Sequence, residues 1–312
     1  MSRPLGAPLR IRFAARPFIV RSAQHLEQAL KDGDVAERGR IDVVSEFAHP
    51  IPLNLIADLL GVPADERLPL QGWAQAILGA LEPVRTEAQL AEGNRAVEEF
   101  KDYLRDLIAR KRRRPPAAHE VDVLWALIEA SEEGDGLTEI EILHNSIFML
   151  NAGHDTTGAL IANGVDLLFR YPDQARRLRE DPTLIKSAVE EMLRFESPLQ
   201  IGNRRTTRDC RTGGVDLTAG TFLHLVLASA NRDEREFVAA GIFDVARTPN
   251  RHLAFSHGIH TCAGNSLARI EAAIAFGKLL ERFPCMTQAA PTERPERSRF
   301  RIVERLLVDL NP

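Results

Sequence analysis

The sequence has little of what marks a secreted, membrane-embedded or nucleic-acid-binding protein. Its 312 residues include three cysteines, which cannot all pair, so we expect no disulfide framework and take a reducing cytoplasm as the simplest compartment. No apolar run approaches the length of a membrane-spanning helix, and the N-terminus lacks the apolar core of a secretory signal. A net charge of −4 gives no reason to expect nucleic acid or a membrane surface as a partner. We therefore predict a cytoplasmic protein without a membrane anchor.

The composition that is present is typical of a soluble globular protein, with 44% hydrophobic and 27% charged residues. The N-terminal segment carries five arginines before its first acid, Glu27, which superficially suits an organellar transit peptide. The apolar residues in the same segment, such as Ile11, Phe18 and Val20, also fit an ordinary structural segment. We favour the structural interpretation.

Helical periodicity dominates the chain. A helix is predicted over 87–111, where Phe100 and Leu104 repeat on one face, and a second helix over 121–131. The run from Arg110 to Arg114 could form a binding patch. We interpret it instead as a solvated helix end, whose cations offset the C-terminal dipole.

A third predicted helix is unusually long. It begins at the capping box Thr138 to Glu141, continues to about residue 169 and is apolar on nearly every side, so we expect it to be buried. Strand signals are few and late, over 221–227 and 300–310. The fold class predicted is mainly α with small β elements, organised as a single domain over 1–312.

One cysteine lies in a glycine-flanked loop, Phe255 to Gly264, just before a segment with helical periodicity. Cys262 would face the unpaired N–H groups and positive dipole end of that helix, and both lower the pKa of a thiol. The loop is therefore suited to present a thiolate. His260 could be a metal ligand, an anion contact or a packed histidine. Zinc is not expected, because Cys210 and Cys285 are isolated and no pair of ligands has the short spacing of zinc sites.

The long helix contains a polar, glycine-bearing interruption, Ala152-Gly153-His154-Asp155-Thr156-Thr157. One interpretation is a kink with locally satisfied hydroxyl groups. The other is a distorted turn that opens room for a small ligand, with an acid and an alcohol placed to move protons. The residues alone leave both interpretations open.

Two weaker patterns lie between these segments. Glu191 and Arg194 can pair on one helix face, but the apolar stripe of that helix lies opposite, so periodicity alone predicts a surface ion pair of little value. Arg204 and Arg205 follow a Ser-Pro turn and suit an anion, which is weak evidence by itself.

Together these segments resemble a known family. The pattern Phe255-x-x-Gly258-x-His260-x-Cys262-x-Gly264 resembles the cysteine-ligand loop of the cytochrome P-450 family, the haem-thiolate monooxygenases, in its soluble bacterial branch. The segment from Ala152 to Thr157 resembles the family's oxygen-activation segment. Glu191-x-x-Arg194 matches its buried glutamate–arginine pair, which replaces the surface assignment that periodicity favours. The resemblance runs from near residue 10 to the end of the chain.

The resemblance implies a haem b cofactor. Cys262 would be the axial thiolate ligand of the haem iron, and its electron donation favours cleavage of the O–O bond. His260 and Arg204 would pair with the haem propionates, and Phe255 would shield the sulfur on the proximal side.

The resemblance also implies a reaction. Asp155 and Thr156 would relay protons to dioxygen, with Gly153 leaving space for it. The protein would insert one oxygen atom of O2 into a small apolar organic substrate. Its electrons would come from a ferredoxin-type or flavin partner docking on the proximal side.

Three departures from the family pattern bear on these expectations. Ser256 stands where the family usually has glycine, and Ile242 replaces a basic residue that often joins the glutamate–arginine network, which predicts a smaller network. The segment from Ala15 to Phe18 resembles the end of a helix across the haem face, and Ala7 stands where a histidine is expected. We expect a family member short of its N-terminal portion. The alternative function is a non-catalytic haem-binding remnant.

Overall fold

The computed structural model describes residues 39–117, 122–132 and 137–310. The chain divides into two compact units, Met1–Gly158 and Ala159–Pro312. The N-terminal expectations at Ala7 and from Ala15 to Phe18 fall outside the described residues.

The first unit is built almost entirely from helices. Its elements are β1 (Arg40–Asp42), a π turn (Val44–Ala48), α1 (Pro50–Leu60), a 3-10 turn (Ala64–Glu66), α2 (Leu70–Ala80), α3 (Glu87–Arg113), α4 (Val123–Glu132) and the first part of α5 (Glu139–Arg170).

Helix α3 matches the first predicted helix and begins at a capping box formed by Thr86 and Gln89. Its apolar face, including Phe100 and Leu104, is fully buried. The basic run at its end is more than a solvated terminus, because Arg110 makes a bidentate ion pair with Glu66. The hydrogen bonds of Arg110, followed by that of Tyr103, lower the pKa of Glu66 to about 2.

Helix α5 begins at the predicted capping box. The Thr138 backbone N–H donates to Glu141 Oε2 at 2.7 Å, and the Glu141 N–H donates to Thr138 Oγ1 at 3.4 Å. The helix runs without a break through the Ala152–Thr157 segment. Burial on nearly every side is wrong for its first half, because Phe148 is 68% exposed on the same face as Ala152 and Thr156.

The second unit adds helices and three small antiparallel pairs of strands to the end of α5. Its elements are α6 (Pro172–Glu180), a 3-10 turn (Pro182–Leu184), α7 (Ile185–Phe195), β2 (Ile201–Arg205), β3 (Cys210–Thr212), β4 (Val215–Leu217), β5 (Phe222–Val226), α8 (Leu227–Ala230), a 3-10 turn (Gly258–His260), α9 (Asn265–Arg282), β6 (Thr287–Gln288) and β7 (Leu307–Asp309).

The strands pair locally along the chain. Strand β2 pairs with β5, with Asn203 opposite His224, and β3 pairs with β4, with Arg211 opposite Asp216. Near the terminus β6 pairs with β7. The two late strand signals of the sequence therefore correspond to β5 and β7, each shorter than predicted.

The helices of this unit meet at a glycine of α5. A Cβ at Gly164 would collide with the Phe276 ring of α9 and lie 2.8 Å from the sulfur of Met192 on α7. Both neighbouring side chains are fully buried. The absence of a side chain at Gly164 therefore lets α7 and α9 approach α5 closely.

The predicted fold class, mainly α with small β elements, is confirmed. Among the described residues, none of the helices combines the length and the apolar character needed to cross a membrane. The single-domain organisation stays a prediction.

Candidate functional site

The cysteine loop is held by its own backbone. The Cys262 N–H donates to the Phe255 carbonyl at 3.0 Å, and the Thr261 N–H donates to the Gly258 carbonyl within a 3-10 turn. At the start of α9, the Asn265 N–H donates to the Cys262 carbonyl at 3.3 Å. These bonds place an exposed cysteine at the start of α9, as the sequence predicts.

The predicted direction of the pKa shift of the Cys262 thiol is wrong. Although Cys262 is an exposed residue, the atoms crowded around its sulfur withdraw it from water, and this raises the pKa of the thiol. The N–H of Gly264 and the charge of Arg269 act in the opposite direction and are outweighed. A bound metal cation would itself favour the thiolate.

Ser256 lies in the left-handed region of backbone conformation, with φ of 60°. Residues other than glycine pay roughly 1–2 kcal/mol for that conformation. Glycine adopts this conformation without that cost, which explains why serine is a departure from the family pattern at position 256.

Phe255 is clamped beside the loop by charged neighbours. The Arg269 guanidinium lies over its ring at 4.5 Å, and Arg269 also pairs with Glu190 at 2.6 Å. His252 contacts Glu190 at 3.0 Å and lies near the same ring. Burial raises the pKa of Glu190, but the hydrogen bonds from His252 and Arg269 outweigh burial and lower that pKa to about 2. The cluster therefore fixes the Phe255 ring.

The two predicted propionate contacts, Arg204 and His260, have side-chain nitrogen donors that no acidic side chain occupies among the described residues. Arg204 lies half-buried on β2 and donates through Nη1 to the Asn203 carbonyl at 2.8 Å. His260 is exposed at the end of the 3-10 turn. In the portion of the chain that the structure describes, neither side chain is paired with an acid. Both can therefore receive a carboxylate from a ligand.

Glu191 and Arg194 form a fully buried pair, as the family resemblance implies and against the periodicity of α7. Two parallel hydrogen bonds of 2.7 Å join them. Arg194 also donates to the carbonyls of Asn231, Ala240 and Ile242. A buried charge is tolerated where every donor finds a partner in this way.

The presence of Ile242 in place of a basic residue predicted a smaller network around Glu191, and that prediction is wrong. Arg247 supplies the second cation, at 3.1 Å from Glu191, and Asn250 donates a further hydrogen bond of 3.0 Å to the same carboxylate. Because Arg247 lies five positions later, a search at position 242 alone does not find it.

On α5 the acid and the alcohol of the distal segment have different surroundings. Thr156 donates through Oγ1 to the Ala152 carbonyl at 2.6 Å on the exposed face. Asp155 is buried beside His154, whose Nδ1 lies 2.8 Å from Asp155 Oδ1. Among the described residues, no hydrogen bond joins the Asp155 and Thr156 side chains.

His49 is the residue near this segment that sequence reasoning missed. Its ring lies edge-on to that of His154, with centroids 5.1 Å apart. Burial, followed by the neighbouring His154, lowers the pKa of His49. No sequence signal connects the two histidines, because they are far apart in the chain and the intervening helices bring them together.

Gly153 has a packing role in the structure. A Cβ at this position would lie 2.5 Å from the Cδ1 methyl of Ile56 on α1. The absent side chain therefore lets α1 pack against α5. The predicted role of Gly153 in leaving space for dioxygen stays a prediction.

The residues of the second unit fit the thiolate side of an iron porphyrin. That unit presents an exposed cysteine before α9, and its Arg204 and His260 have no acidic partner among the described residues. A thiolate suits iron, and a guanidinium or imidazole group suits a propionate. The fold and these residues define a candidate haem-thiolate protein.

Comparison with known proteins identifies the family. The family model described as Cytochrome P450 matches residues 85–305. The chain is 38% identical over 274 residues to the biotin biosynthesis cytochrome P450 of Bacillus subtilis, covering 88% of this chain and 67% of that protein. It is 42% identical over 277 residues to cytochrome P450 107B1 of Saccharopolyspora erythraea, covering 88% of this chain and 65% of that protein. The chain belongs to the cytochrome P450 family, a family of haem-dependent monooxygenases.

Solved structures agree with this assignment. P450BioI, in complex with acyl carrier protein ligated to hexadec-9Z-enoic acid, superposes with a TM-score of 0.89 at 36% identity, covering 97% of this chain and 76% of that chain. CYP109E1 of Bacillus megaterium, in complex with testosterone, gives 0.85 at 33% identity, covering 96% and 80%. The chain spans 62–69% of the length of the curated relatives compared.

Proposed function

We propose that this chain binds haem b through Cys262 and inserts one oxygen atom of O2 into a small apolar organic substrate. The observation that carries the proposal is the placement of Cys262, an exposed residue that backbone hydrogen bonds fix at the start of α9 in a chain that belongs to the cytochrome P450 family. Bound there, haem would supply the iron that activates dioxygen, with electron donation from sulfur favouring O–O cleavage.

The loop residues would bind and orient the cofactor. Arg204 and His260 would hold its propionates through charge-assisted hydrogen bonds. Phe255, held by Arg269 and the Glu190 cluster, would exclude water from the sulfur. The Gly264 N–H would donate to Cys262 Sγ and reduce its negative charge.

The distal residues would move protons. Because Thr156 donates its own proton to the Ala152 carbonyl, its oxygen is left to accept a hydrogen bond from a bound molecule. Asp155 would be the proton donor behind it, and its carboxyl group would have to turn from His154 toward the Thr156 face to deliver the proton. Gly153 would leave room for dioxygen.

Substrate and electron donor are proposed as classes. Among the similar solved structures, P450BioI holds an acyl chain on a carrier protein and CYP109E1 holds testosterone, so a fatty acyl or steroid substrate is the first class to test. Electrons would come from a ferredoxin-type or flavin protein.

The haem assignment is tested with the reduced, carbon-monoxide-treated chain. We expect a thiolate-type Soret band that is lost in Cys262→Ser and retained in Cys210→Ser, since Cys210 is also an exposed cysteine residue and lies elsewhere, on β3. Absence of haem binding in the unsubstituted chain, or an unchanged band in Cys262→Ser, would contradict the proposal.

The proton-transfer assignment is tested by turnover with fatty acid and steroid panels. We expect Thr156→Ala to keep reductant consumption while diverting most of it to hydrogen peroxide, and Thr156→Ser to retain coupled product. General acid–base groups typically contribute about 100-fold or more. Unchanged coupling in Thr156→Ala would remove Thr156 from the mechanism. Haem binding without product in any panel would favour the non-catalytic alternative.

A further inference from the structure

A buried histidine, His154, and a half-buried one, His49, lie beside the proton-transfer segment and have no part in the proposed reaction. His49, His154 and Asp155 each place one ligand atom, a ring nitrogen or a carboxylate oxygen, so that all three lie within 4.8 Å of one another. All three belong to the first unit.

Four polar atoms of this cluster have no hydrogen-bond partner among the residues that the structure describes. His154 is fully buried, and both of its ring nitrogens are among the four. The same holds for His49 Nδ1 and Asp155 Oδ1. His154 Nδ1 and Asp155 Oδ1 lie 2.8 Å apart but are not oriented to share a hydrogen bond. Since an unsatisfied buried polar group costs about 1–3 kcal/mol, a ligand that bonds to these atoms would stabilise the cluster.

The surrounding elements fix the cluster. His49 joins the π turn to α1 and is followed directly by Pro50, the first residue of that helix. Gly158 lies one turn after His154 on α5, and a Cβ there would be 2.8 Å from His49 Cδ2. A glycine inside a helix costs about 1 kcal/mol relative to alanine, and here it gives the His49 ring its place. Side chains seated on helices in this way make a defined site.

We propose that His49, His154 and Asp155 bind one divalent transition-metal ion of the Zn²⁺ class. Two imidazoles and a carboxylate are ligands that such ions prefer, and three protein ligands leave a fourth position for water. An ion would also satisfy the unpaired nitrogen and oxygen atoms. With metal–ligand bonds of about 2.0–2.2 Å, tetrahedral ligand atoms are about 3.4 Å apart, and the three ligand atoms, all within 4.8 Å of one another, adjust to that spacing when the ion binds.

This site would compete with the proposed reaction. An ion on Asp155 takes the carboxylate that the proton-transfer proposal uses, so its occupancy slows turnover. That consequence rests on the proposed function, whereas binding of the ion does not. Binding is therefore measured separately from activity.

The test is calorimetric titration of Zn²⁺ into two forms of the full chain. One is the haem-loaded protein. The other is haem-free Cys262→Ser, in which the loop thiol near His260 cannot bind zinc. We expect one equivalent bound in both forms, and tetrahedral absorption bands when Co²⁺ replaces Zn²⁺ in the haem-free form. The haem-free arm remains informative if haem binding fails.

Matched variants locate the ion. His49→Phe keeps a ring against α5 without a ligand atom, and Asp155→Asn removes the charge. We expect each to weaken Zn²⁺ binding at least tenfold. His144→Ala, an exposed histidine of the same helix, should leave it unchanged. Circular dichroism verifies that each variant folds. Gly158→Ala places a methyl group against His49 without removing a ligand atom, and it should also weaken Zn²⁺ binding. No binding in either form, or binding unaffected by both His49→Phe and Asp155→Asn, overturns the proposal.

Discussion

Glu271 is a carboxyl group on α9 that the protein buries without compensation. It is 4% exposed, and its Oε2 has no hydrogen-bond partner among the described residues. Burial raises the pKa of Glu271 to about 8. The folded protein therefore holds this group protonated at neutral pH, whereas the unfolded chain ionises it.

The Glu271→Gln variant tests this burial through the pH dependence of stability. Because the folded pKa of Glu271 lies above the unfolded value, the contribution of this group to wild-type stability falls as pH rises from about 4.5 to about 8. The amide does not titrate, so the variant should gain stability relative to wild type across that window, by up to a few kcal/mol. Urea unfolding between pH 4.5 and 8 measures the difference. A parallel pH dependence in the two proteins would contradict the assignment, and Glu281→Gln, exposed on the same helix, is the control.

At the scale of elements, the buried network around Glu191 joins α7 to the segment from Asn231 to Asn250. Its two cations differ in burial, since Arg194 is fully enclosed and Arg247 is 12% exposed. The two arginines should therefore differ in their contribution to stability.

Substitution of the two arginines ranks those contributions. Arg194→Ala leaves the Glu191 carboxylate buried beside the remaining cation and frees three carbonyls, and we expect a loss of about 3–5 kcal/mol. Arg247→Ala leaves the bidentate pair intact and should cost about 1–3 kcal/mol. Denaturant unfolding at pH 7 gives both losses. The stability of Arg247→Lys should lie between that of wild type and that of Arg247→Ala. Equal losses from the two alanine variants would show that the network does not depend on the buried pair.

Helix positions are the part of the fold that the sequence predicts well. The structure places α3 and α5 within two residues of their predicted ends, because capping boxes and apolar spacing are local signals. The buried state of Glu191 was predictable only from family resemblance, since the periodicity of α7 indicates a surface position.

The features that the sequence could not predict depend on contacts between residues that are far apart in the chain. Arg247 and His49 acquire their partners only when separate segments meet. The exposed Phe148 has an apolar side chain like those that are buried, and composition does not show which apolar side chains of a helix stay exposed. The pKa of Cys262 depends on how closely its neighbours enclose the sulfur, which no local pattern encodes.

At the scale of the whole molecule, stability depends on carboxylates that gain cationic partners on folding. Glu66 in the first unit and Glu190 in the second each have a pKa of about 2, below the ordinary value of 4.5. A depressed pKa contributes stability that is present above about pH 4.5 and is lost as pH falls toward 2. The whole chain therefore loses stability on the acid side, in the opposite direction to the effect of Glu271.

Chemical denaturation between pH 7 and pH 2.5 tests the acid loss. We expect Glu190→Gln to be less stable than wild type at pH 7, because Arg269 and His252 lose a charged partner, and the difference to shrink as pH falls. A difference that stays constant with pH would assign the effect to packing. Glu281→Gln should follow the wild-type curve throughout.

Backbone carbonyl groups surround the guanidinium groups of Arg194 and Arg247 and accept their hydrogen bonds. The two guanidinium groups carry one positive charge more than Glu191 neutralises, and the carbonyls of Val238, Ala239, Ala240 and Ile242 point toward them. Ala239 adopts a φ of 51° within this turn. Because the excess charge is solvated by peptide dipoles, the outward side chains of Val238 and Ile242 take no part in it. Residue 242 contributes its backbone carbonyl to the two arginines, and its exposed side chain does not contact them. An isoleucine at this position therefore leaves the hydrogen bonds to both guanidinium groups intact.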